Sequence, residues 1–182
     1  MTPQPPILQH DLTTVEVTVA TGCPATTVAH GWPLLLDALK AVPGAAGRLS
    51  QIGLAATVAL ETAHTFKPIR EYRANAIRKP ELYAAQERYW PSGYYGRGYI
   101  QLTWADNYRD CGEAIGEDLL GDPDLVLDPA VSARAAVWFW TNKGIPAVCE
   151  VGDWPRVRKL VNGGVNGLAD FLDMVRRFGI GM

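Results

Sequence analysis

The stretch that decides the fold is Tyr94-Tyr-Gly-Arg-Gly-Tyr-Ile-Gln-Leu-Thr-Trp-Ala-Asp-Asn-Tyr108. Gly96 and Gly98 flank Arg97, so the backbone can turn tightly there or lie close to a ligand. Apolar and polar residues then alternate over residues 100–103, which predicts a short strand with one apolar and one polar face. The stretch is therefore predicted to run from a turn into a strand.

A helix is predicted to follow this strand. Thr103 and Asp106 have the spacing of a capping box, so the helix is expected to begin at Trp104. Hydroxyl and amide side chains capable of hydrogen bonding to a sugar collect beside aromatic rings that can stack on sugar faces; they are Tyr95, Gln101, Thr103 and Asn107. This inventory suits a carbohydrate groove. The alternative is a capped strand–helix corner whose aromatic residues fill a core.

The composition is that of an ordinary folded domain. The chain has 182 residues, of which 48% are hydrophobic and 20% are charged, enough for one domain with a substantial core. Its net charge of −2 provides no polycationic face, which argues against nucleic acid as a partner.

Neither a disulfide framework nor a metal site is predicted. Cys23, Cys111 and Cys149 are odd in number and have no close spacing. Glu61 and His64 have the Glu-x-x-His spacing of di-iron bundles, but the second copy and further glutamates that such a site needs are missing. We therefore expect no metal and no cofactor.

The N-terminal residues, Met-Thr-Pro-Gln-Pro-Pro, contain no basic region leading into an apolar run, and no apolar stretch approaches membrane-spanning length. We expect a protein that is made in a cytoplasm without a signal peptide and does not insert into a membrane. Residues 1–10 are expected to be a flexible lead, 11–45 an N-terminal helical segment packed on the core, and 46–182 the main domain, in one globular unit.

Most of the chain is predicted to be helical. Residues 11–30 combine a strand-like alternation of valines with possible helix caps, and we favour a short helix there. Pro33 is expected to begin the next helix. Apolar periodicity and caps predict helices over 34–42, 48–62, 80–88, 104–115, 130–143, 154–161 and 168–178.

A carboxylate stands near the end of an apolar helix. Glu61 shares a face with Leu54 and Val58, and desolvation at that position would favour the protonated carboxyl group that a general acid needs. The alternative is a solvated glutamate at a helix end.

The segment Tyr-Tyr-Gly-Arg-Gly-x-Ile-Gln-Leu-Thr followed by Asn-Tyr resembles the signature of glycoside hydrolase family 19, which contains plant-type chitinases and many bacteriophage endolysins. The likeness extends over about 55–177 and takes in Ala-Thr-Val-Ala-Leu-Glu-Thr and the Asn-Gly-Gly turn that begins at Asn162. It implies a mainly helical, lysozyme-like α+β fold, in which a helical bundle with a small β element encloses a central substrate groove. Secreted plant chitinases normally carry several disulfides, so the endolysin branch fits this chain better.

The resemblance also implies site residues. Glu61 would be the general acid. Endolysin-type members nominate Glu71 as the second acid and plant-type chitinases nominate Glu87, and we favour Glu71 because Phe-x-Pro-Ile-Arg-Glu follows the endolysin pattern. Thr103 would position the water, and Arg97 would orient the site carboxylates. The expected sugar contacts are Tyr95, Gln101, Asn107 and Asn162. The arginine that family chitinases often carry in the last helix has no counterpart, because its equivalent position is Phe171.

The function expected from the resemblance is hydrolysis of β-1,4 bonds in the glycan strands of peptidoglycan by an acid and a base. The protein would be a monomer that reaches the cell wall after release from the host cytoplasm and causes lysis. Three alternatives remain: a chitinase of the same fold, a lytic transglycosylase on the same glycan, and a non-catalytic wall-binding module.

Overall fold

The computed structural model describes residues 10–181, and helices make up most of this part of the chain. Residues 1–9 of the expected flexible lead lie outside it. The helices are α1 (Thr14–Thr21), α2 (Ala25–Lys40), α3 (Arg48–Glu61), α4 (Pro80–Gln86), α5 (Ala105–Ile115), α6 (Pro129–Asn142), α7 (Ile145–Glu150), α8 (Trp154–Asn162) and α9 (Leu168–Arg177). Strands β1 (Ile69–Arg70) and β2 (Arg97–Gly98) form a two-stranded sheet. The predicted mainly helical α+β architecture is confirmed.

The second helix begins earlier than predicted. Pro33 lies inside α2, which already starts at Ala25, so the predicted helix start at Pro33 is wrong. A proline inside a helix costs about 3 kcal/mol. The buried face of α2, which includes Trp32 and Leu35, offsets this cost, because burial of each large apolar side chain contributes roughly 1.5–3 kcal/mol.

Helix α3 is the central element of the core. Residues 50–59 are all buried, and α3 packs against α1, α7, α8 and α9. A helix enclosed on all sides needs small residues where neighbours come close. A Cβ added at Gly53 would lie 2.8 Å from Sγ of Cys149 and 3.2 Å from Cζ2 of Trp140. This packing carries Glu61, the last residue of α3, to the edge of the core.

The predicted strand over 100–103 is wrong, because the chain reverses there. Strand β2 lies just before that stretch, and it pairs antiparallel with β1 through Ile69 opposite Gly98. Arg97 and Leu102 then exchange both backbone hydrogen bonds, at 3.2 and 2.9 Å, so the intervening residues form a tight turn. The turn places Gln101 at a φ of +54°. The alternating polarity of residues 100–103 therefore comes from a turn in which Ile100 and Leu102 are buried, and not from a strand.

Helix α5 does not begin with the predicted capping box. The Thr103 hydroxyl donates to the Gln101 carbonyl oxygen at 2.9 Å and makes no cap bond. Trp104 precedes the helix with a φ of +78°, and the helix starts at Ala105. This left-handed residue turns the chain out of the tight turn and leaves the indole ring partly exposed.

The remaining helices follow their sequence signals. Asp128 caps α6 by accepting from the amides of Ala130 and Val131, and Asp153 caps α8 by accepting from the amide of Arg156. Helix α7 was not predicted, because its single turn is too short to show a period.

The three cysteines are free and buried. Within residues 10–181, no helix combines the length and the hydropathy needed to cross a bilayer.

Candidate active site

The carboxylate of Glu61 is paired with an arginine. Nη1 of Arg158 lies 2.6 Å from Oε1 of Glu61, and the two side chains are 8% and 16% exposed. The surroundings of Glu61 are therefore not purely aliphatic as predicted, because a guanidinium from α8 shares its site. Arg158 was not among the predicted site residues. Its signal was the spacing from Trp154 and Val157, which places the arginine on the buried face of α8.

The turn after α8 is tied to the same arginine. Nε of Arg158 donates to the backbone oxygen of Asn166 at 2.8 Å, and Nδ2 of Asn162 donates to that same oxygen at 2.9 Å. The Asn162 carbonyl oxygen Oδ1 accepts from the amide of Gly164 at 2.9 Å. Asn162 thus lies on the Glu61 side of the molecule, exposed, with its amide holding the turn. Its expected sugar contact stays a prediction.

Glu71 lies directly after β1 and accepts three hydrogen bonds. Oε1 accepts from Nε2 of Gln86 at 2.8 Å and from the hydroxyl of Tyr89 at 2.6 Å, and Oε2 accepts from the amide of Gly96 at 2.9 Å. Burial and the neighbouring Glu71 carboxylate both raise the pKa of Tyr89. Three donors on two oxygens hold the carboxylate in one orientation. They also join α4 and the segment after it to the turn at Gly96.

Glu87, the alternative second acid, has a different environment. Its side chain is half exposed and forms an ion pair with Arg73 at the surface. The residue before it, Gln86, is buried and turned toward Glu71. Of the two candidates, Glu71 is therefore the one that the structure joins to residues 94–108.

Arg97 occupies a structural position. Its side chain is 4% exposed, and Nε contacts Oδ1 of Asp124 at 2.7 Å. Nη1 donates to the backbone oxygens of Gly93 and Tyr95 at 3.0 Å each and to the Tyr108 hydroxyl at 3.1 Å. The carboxylate that Arg97 contacts is Asp124, so the prediction that it orients the site carboxylates is corrected. It lies beneath the turn and fixes its shape.

Three of the predicted site residues, Gln101, Thr103 and Asn107, form one linked row. Nε2 of Gln101 donates to the backbone oxygens of Ile69 and Gly98, at 3.2 and 3.1 Å. The Thr103 hydroxyl donates to the backbone oxygen of Gln101, and Nδ2 of Asn107 donates to the backbone oxygen of Thr103 at 2.7 Å. Their donors hold the turn, whereas the lone pairs of the Thr103 hydroxyl and the Asn107 carbonyl remain able to accept from a water or a sugar.

Aromatic rings line the surface next to Glu71. Tyr95 stacks on Trp90 with ring centroids 4.3 Å apart and planes 13° from parallel. Tyr89 meets Trp104 edge to face at 5.2 Å, and the Trp104 residue is 42% exposed. Tyr89 and its contact with Glu71 were not predicted, because the two residues are 18 positions apart and the tyrosine belongs to neither of the motifs that contain the acids.

Within the part of the chain that the structure describes, no three His, Cys, Asp or Glu side chains are grouped in a way that could hold a metal ion.

Comparisons with known proteins agree on one family. The model of the family described as chitinase class I, glycoside hydrolase family 19, matches residues 55–162, more than half of the chain. Endochitinase B of Zea mays is 40% identical over 114 residues, which cover 59% of this chain and 41% of the maize protein. An inactive chitinase-like protein of Hevea brasiliensis is 56% identical over 54 residues, 29% of this chain and 17% of that protein. The chain thus spans less than half the length of either relative.

Among solved structures, a chitinase C mutant superposes with a TM-score of 0.67 at 25% identity, covering 93% of both chains. The lysozyme-like fold of this family is therefore also that of the present chain. The identity to a relative described as inactive shows that the motif alone does not establish activity.

Proposed function

Because the chain belongs to glycoside hydrolase family 19, the chitinase class I family, we propose that it hydrolyses β-1,4 bonds in a glycan of N-acetylated sugars. Glu61 acts as the general acid on the glycosidic oxygen, and Glu71 acts as the base that activates water. The observation that carries this proposal is that each carboxylate is held by its own set of donors, on different elements of the fold.

The two sets of contacts suit two different roles. Glu71 accepts three hydrogen bonds, which keeps its oxygens oriented to take a proton from water. Glu61 accepts one contact from Arg158 on Oε1, and among the described residues Oε2 has no hydrogen-bond partner. We assign proton delivery to Oε2.

The presence of a fixed second carboxylate favours hydrolysis over transglycosylation. A lytic transglycosylase needs one acid, because the sugar's own hydroxyl attacks and forms an anhydro ring. Here a second carboxylate, Glu71, is oriented by Gln86, Tyr89 and Gly96. An oriented second carboxylate can activate water for hydrolysis, whereas formation of the anhydro ring does not require it.

We further propose that the glycan is peptidoglycan. Residues 67–88, which contain Glu71, include six basic and three acidic residues, a net charge of +3 in a chain of net charge −2. Chitin is neutral, whereas peptidoglycan carries carboxylates on the stem peptides that are attached to its muramic acid units. In this proposal the protein acts as a monomer on the host wall, after release from the cytoplasm in which it is made, and lyses the cell. A chitinase is the second candidate, supported by its endochitinase relatives.

Digestion of purified peptidoglycan, with the reducing ends identified by mass spectrometry, tests the proposal. We expect fragments that have gained one water. Glu61→Gln and Glu71→Gln should each lower turnover about 100- to 10,000-fold, and Glu87→Gln should stay within a few-fold of wild type.

Other products would replace the proposal with one of its alternatives. Cleavage of chitin oligomers but not of wall glycan would identify a chitinase, and anhydro ends would identify a transglycosylase. Binding without turnover would identify a non-catalytic module.

A further inference from the structure

We propose that Tyr89 is a positioning residue for the base: together with Gln86 it occupies one oxygen of Glu71, so that the attacking water is bound and deprotonated at the other oxygen, Oε2. This inference rests on the proposed function, since it assumes that Glu71 activates water. It assigns the proton transfer to one atom and gives a role to a tyrosine that was not among the predicted site residues.

The two carboxylate oxygens of Glu71 have different numbers of donors. Oε1 accepts from Nε2 of Gln86 at 2.8 Å and from the Tyr89 hydroxyl at 2.6 Å. Among the residues that the structure describes, Oε2 accepts only from the amide of Gly96, at 2.9 Å. A carboxylate has about four acceptor positions, roughly two on each oxygen. Oε1 is therefore fully occupied, and Oε2 keeps one position for a water.

Separate segments of the chain supply the donors to the two oxygens. Gln86 ends α4, and the amide of Tyr89 donates to the Gln86 carbonyl oxygen at 3.1 Å, so one turn of chain presents both donors to Oε1. On the other side, the amide of Glu71 donates to the carbonyl oxygen of Gly96 at 2.8 Å. Backbone and side chain of Glu71 are thus both bonded to Gly96, which keeps Oε2 beside that glycine.

A second acceptor lies close to Oε2 of Glu71. A Cβ added at Gly96 would lie 3.1 Å from Oε2 and 2.8 Å from Oε1 of Gln101. Nε2 of Gln101 is bonded to the backbone oxygens of Ile69 and Gly98, which leaves the amide oxygen as the end nearest Gly96. A water can donate one O–H group to each of two neighbouring acceptors. The surroundings of Oε2 therefore suit a bound water.

The proton transfer then has one route. The water gives one proton to Oε2 of Glu71 while its oxygen bonds to the anomeric carbon. The glycosidic bond breaks in the same step, and Glu61 protonates the leaving oxygen. Without the Tyr89 hydroxyl, Oε1 would also have a free position, and water would divide between a productive and an unproductive geometry. Such a division lowers kcat without weakening substrate binding.

Tyr89→Phe tests this role, because it removes the hydroxyl and keeps the ring that packs against Trp104. On the glycan that wild type cleaves, we expect kcat to fall about tenfold and KM to stay within about twofold. The lost hydrogen bond favoured the charged carboxylate, so the acid limb of the kcat/KM profile should move up by about one pH unit while the alkaline limb stays in place. Arg73 is the other charged group near Tyr89, and both proteins retain it.

Tyr94→Phe is the matched control. It also removes one hydroxyl hydrogen bond, which Tyr94 donates to the backbone oxygen of Leu120 at 3.0 Å, away from Glu71. This variant should keep the kcat, the KM and the pH profile of wild type. An acid limb that does not move in Tyr89→Phe, or that moves equally in Tyr94→Phe, overturns the inference.

A double-mutant cycle separates positioning of Glu71 from a general structural role. If Tyr89 acts only through Glu71, adding Tyr89→Phe to Glu71→Gln should change the residual turnover by less than about twofold. A further loss of about tenfold in that background would show that Tyr89 acts by another route, and the inference would then be wrong.

An experiment without turnover keeps this inference apart from the proposed function. If wild-type protein cleaves neither wall glycan nor chitin, the proposed function fails. Acid titration of the Glu71 carboxyl carbon can still be followed by NMR in isotopically labelled protein, with the signal assigned by its absence from Glu71→Gln. The midpoint should lie about one pH unit higher in Tyr89→Phe than in wild type or Tyr94→Phe. Equal midpoints in all three proteins refute the role of Tyr89.

Discussion

Arg158 and Glu61 lie 97 positions apart in the chain, yet Nη1 of the arginine is 2.6 Å from Oε1 of the glutamate. This contact joins the end of α3 to the buried face of α8. It also links Glu61, the proposed general acid, to the turn at Asn162, because the same guanidinium binds the backbone oxygen of Asn166. The acid side of the proposed site therefore depends on the packing of two helices that no local motif connects.

Replacing Arg158 by Gln should destabilise the protein and inactivate it. Removing one partner of a mostly buried ion pair leaves the other charge uncompensated, at a cost of about 3 kcal/mol in the free energy of unfolding. Urea unfolding measures that cost, and digestion of wall glycan measures activity. Arg156→Gln, on the exposed face of α8, should stay within about 0.5 kcal/mol of wild type. Equal stability of the two variants would show that the pair contributes nothing.

The fold was predictable where local signals are strong. Helix α6 has Asp128 as its cap and a proline in its first turn, and α3 has an unbroken run of small and aliphatic residues, so both were found with nearly correct bounds. The position of the small sheet was not predictable, because strands of two residues are too short to show a periodic pattern. Its pairing of Ile69 with Gly98 is made across a separation that sequence patterns do not encode.

The sequence nominated two acids for the candidate site, whose roles stay predictions, but it did not indicate the residues that contact them. Resemblance to the family nominated Glu61 and Glu71. Their contacts with Arg158 and Tyr89 arise only when distant segments pack together, and such contacts have no signature in one sequence. Arg97 was predicted to orient the site carboxylates, but its side chain contacts Asp124 and three further oxygen atoms beneath the turn, and these contacts also depend on distant packing.

The loop between the two acids contains backbone strain that glycine should relieve. Ala63, His64 and Phe66 have φ values of +50°, +59° and +52°. A left-handed conformation costs roughly 1 kcal/mol for a residue with a Cβ. His64 is exposed, and its ring has no hydrogen bond among the described residues. His64→Gly should therefore raise the free energy of unfolding by up to about 1 kcal/mol, measured by thermal or urea unfolding.

Lys67→Gly is the matched control for this loop. Lys67 is also exposed, but its φ is not in the left-handed region. Glycine there should lower stability by about 0.5–1 kcal/mol, because it adds freedom to the unfolded chain without relieving strain. If both variants lose stability, the left-handed conformation of His64 carries no strain.

Glu16 should make the fold sensitive to acid. Although burial acts in the opposite direction, hydrogen bonds from Thr13 and Arg48 lower the pKa of Glu16 to about 2. A carboxyl group whose pKa is lower when folded adds stability above its unfolded value of 4.5, and that stability is lost as the pH falls toward 2. We expect a loss of about 2–3 kcal/mol across this range for wild type.

Unfolding measured at pH 7 and at pH 2.5 in wild type and Glu16→Gln checks this expectation. The glutamine variant should be less stable than wild type at pH 7 and should lose less stability on acidification. Parallel pH dependences in the two proteins would place the acid-sensitive group elsewhere.

Gly53→Ala should destabilise the centre of α3 even though alanine is the better helix former. The added Cβ would lie 2.8 Å from Sγ of Cys149 and 3.2 Å from the Trp140 ring, and overpacking of this kind costs about 1–3 kcal/mol. The higher helix propensity of alanine offsets about 1 kcal/mol of this cost. Gly164→Ala is the control, because its Cβ would meet nothing within 4 Å, so it should be neutral or slightly stabilising.

In a Cys149→Ala background the clash with sulfur is removed, and Gly53→Ala should then cost less by 1 kcal/mol or more, roughly the size of coupling expected between residues in contact. If Gly53→Ala lowers the free energy of unfolding equally with and without Cys149→Ala, contact with the Cys149 sulfur does not restrict residue 53 to glycine.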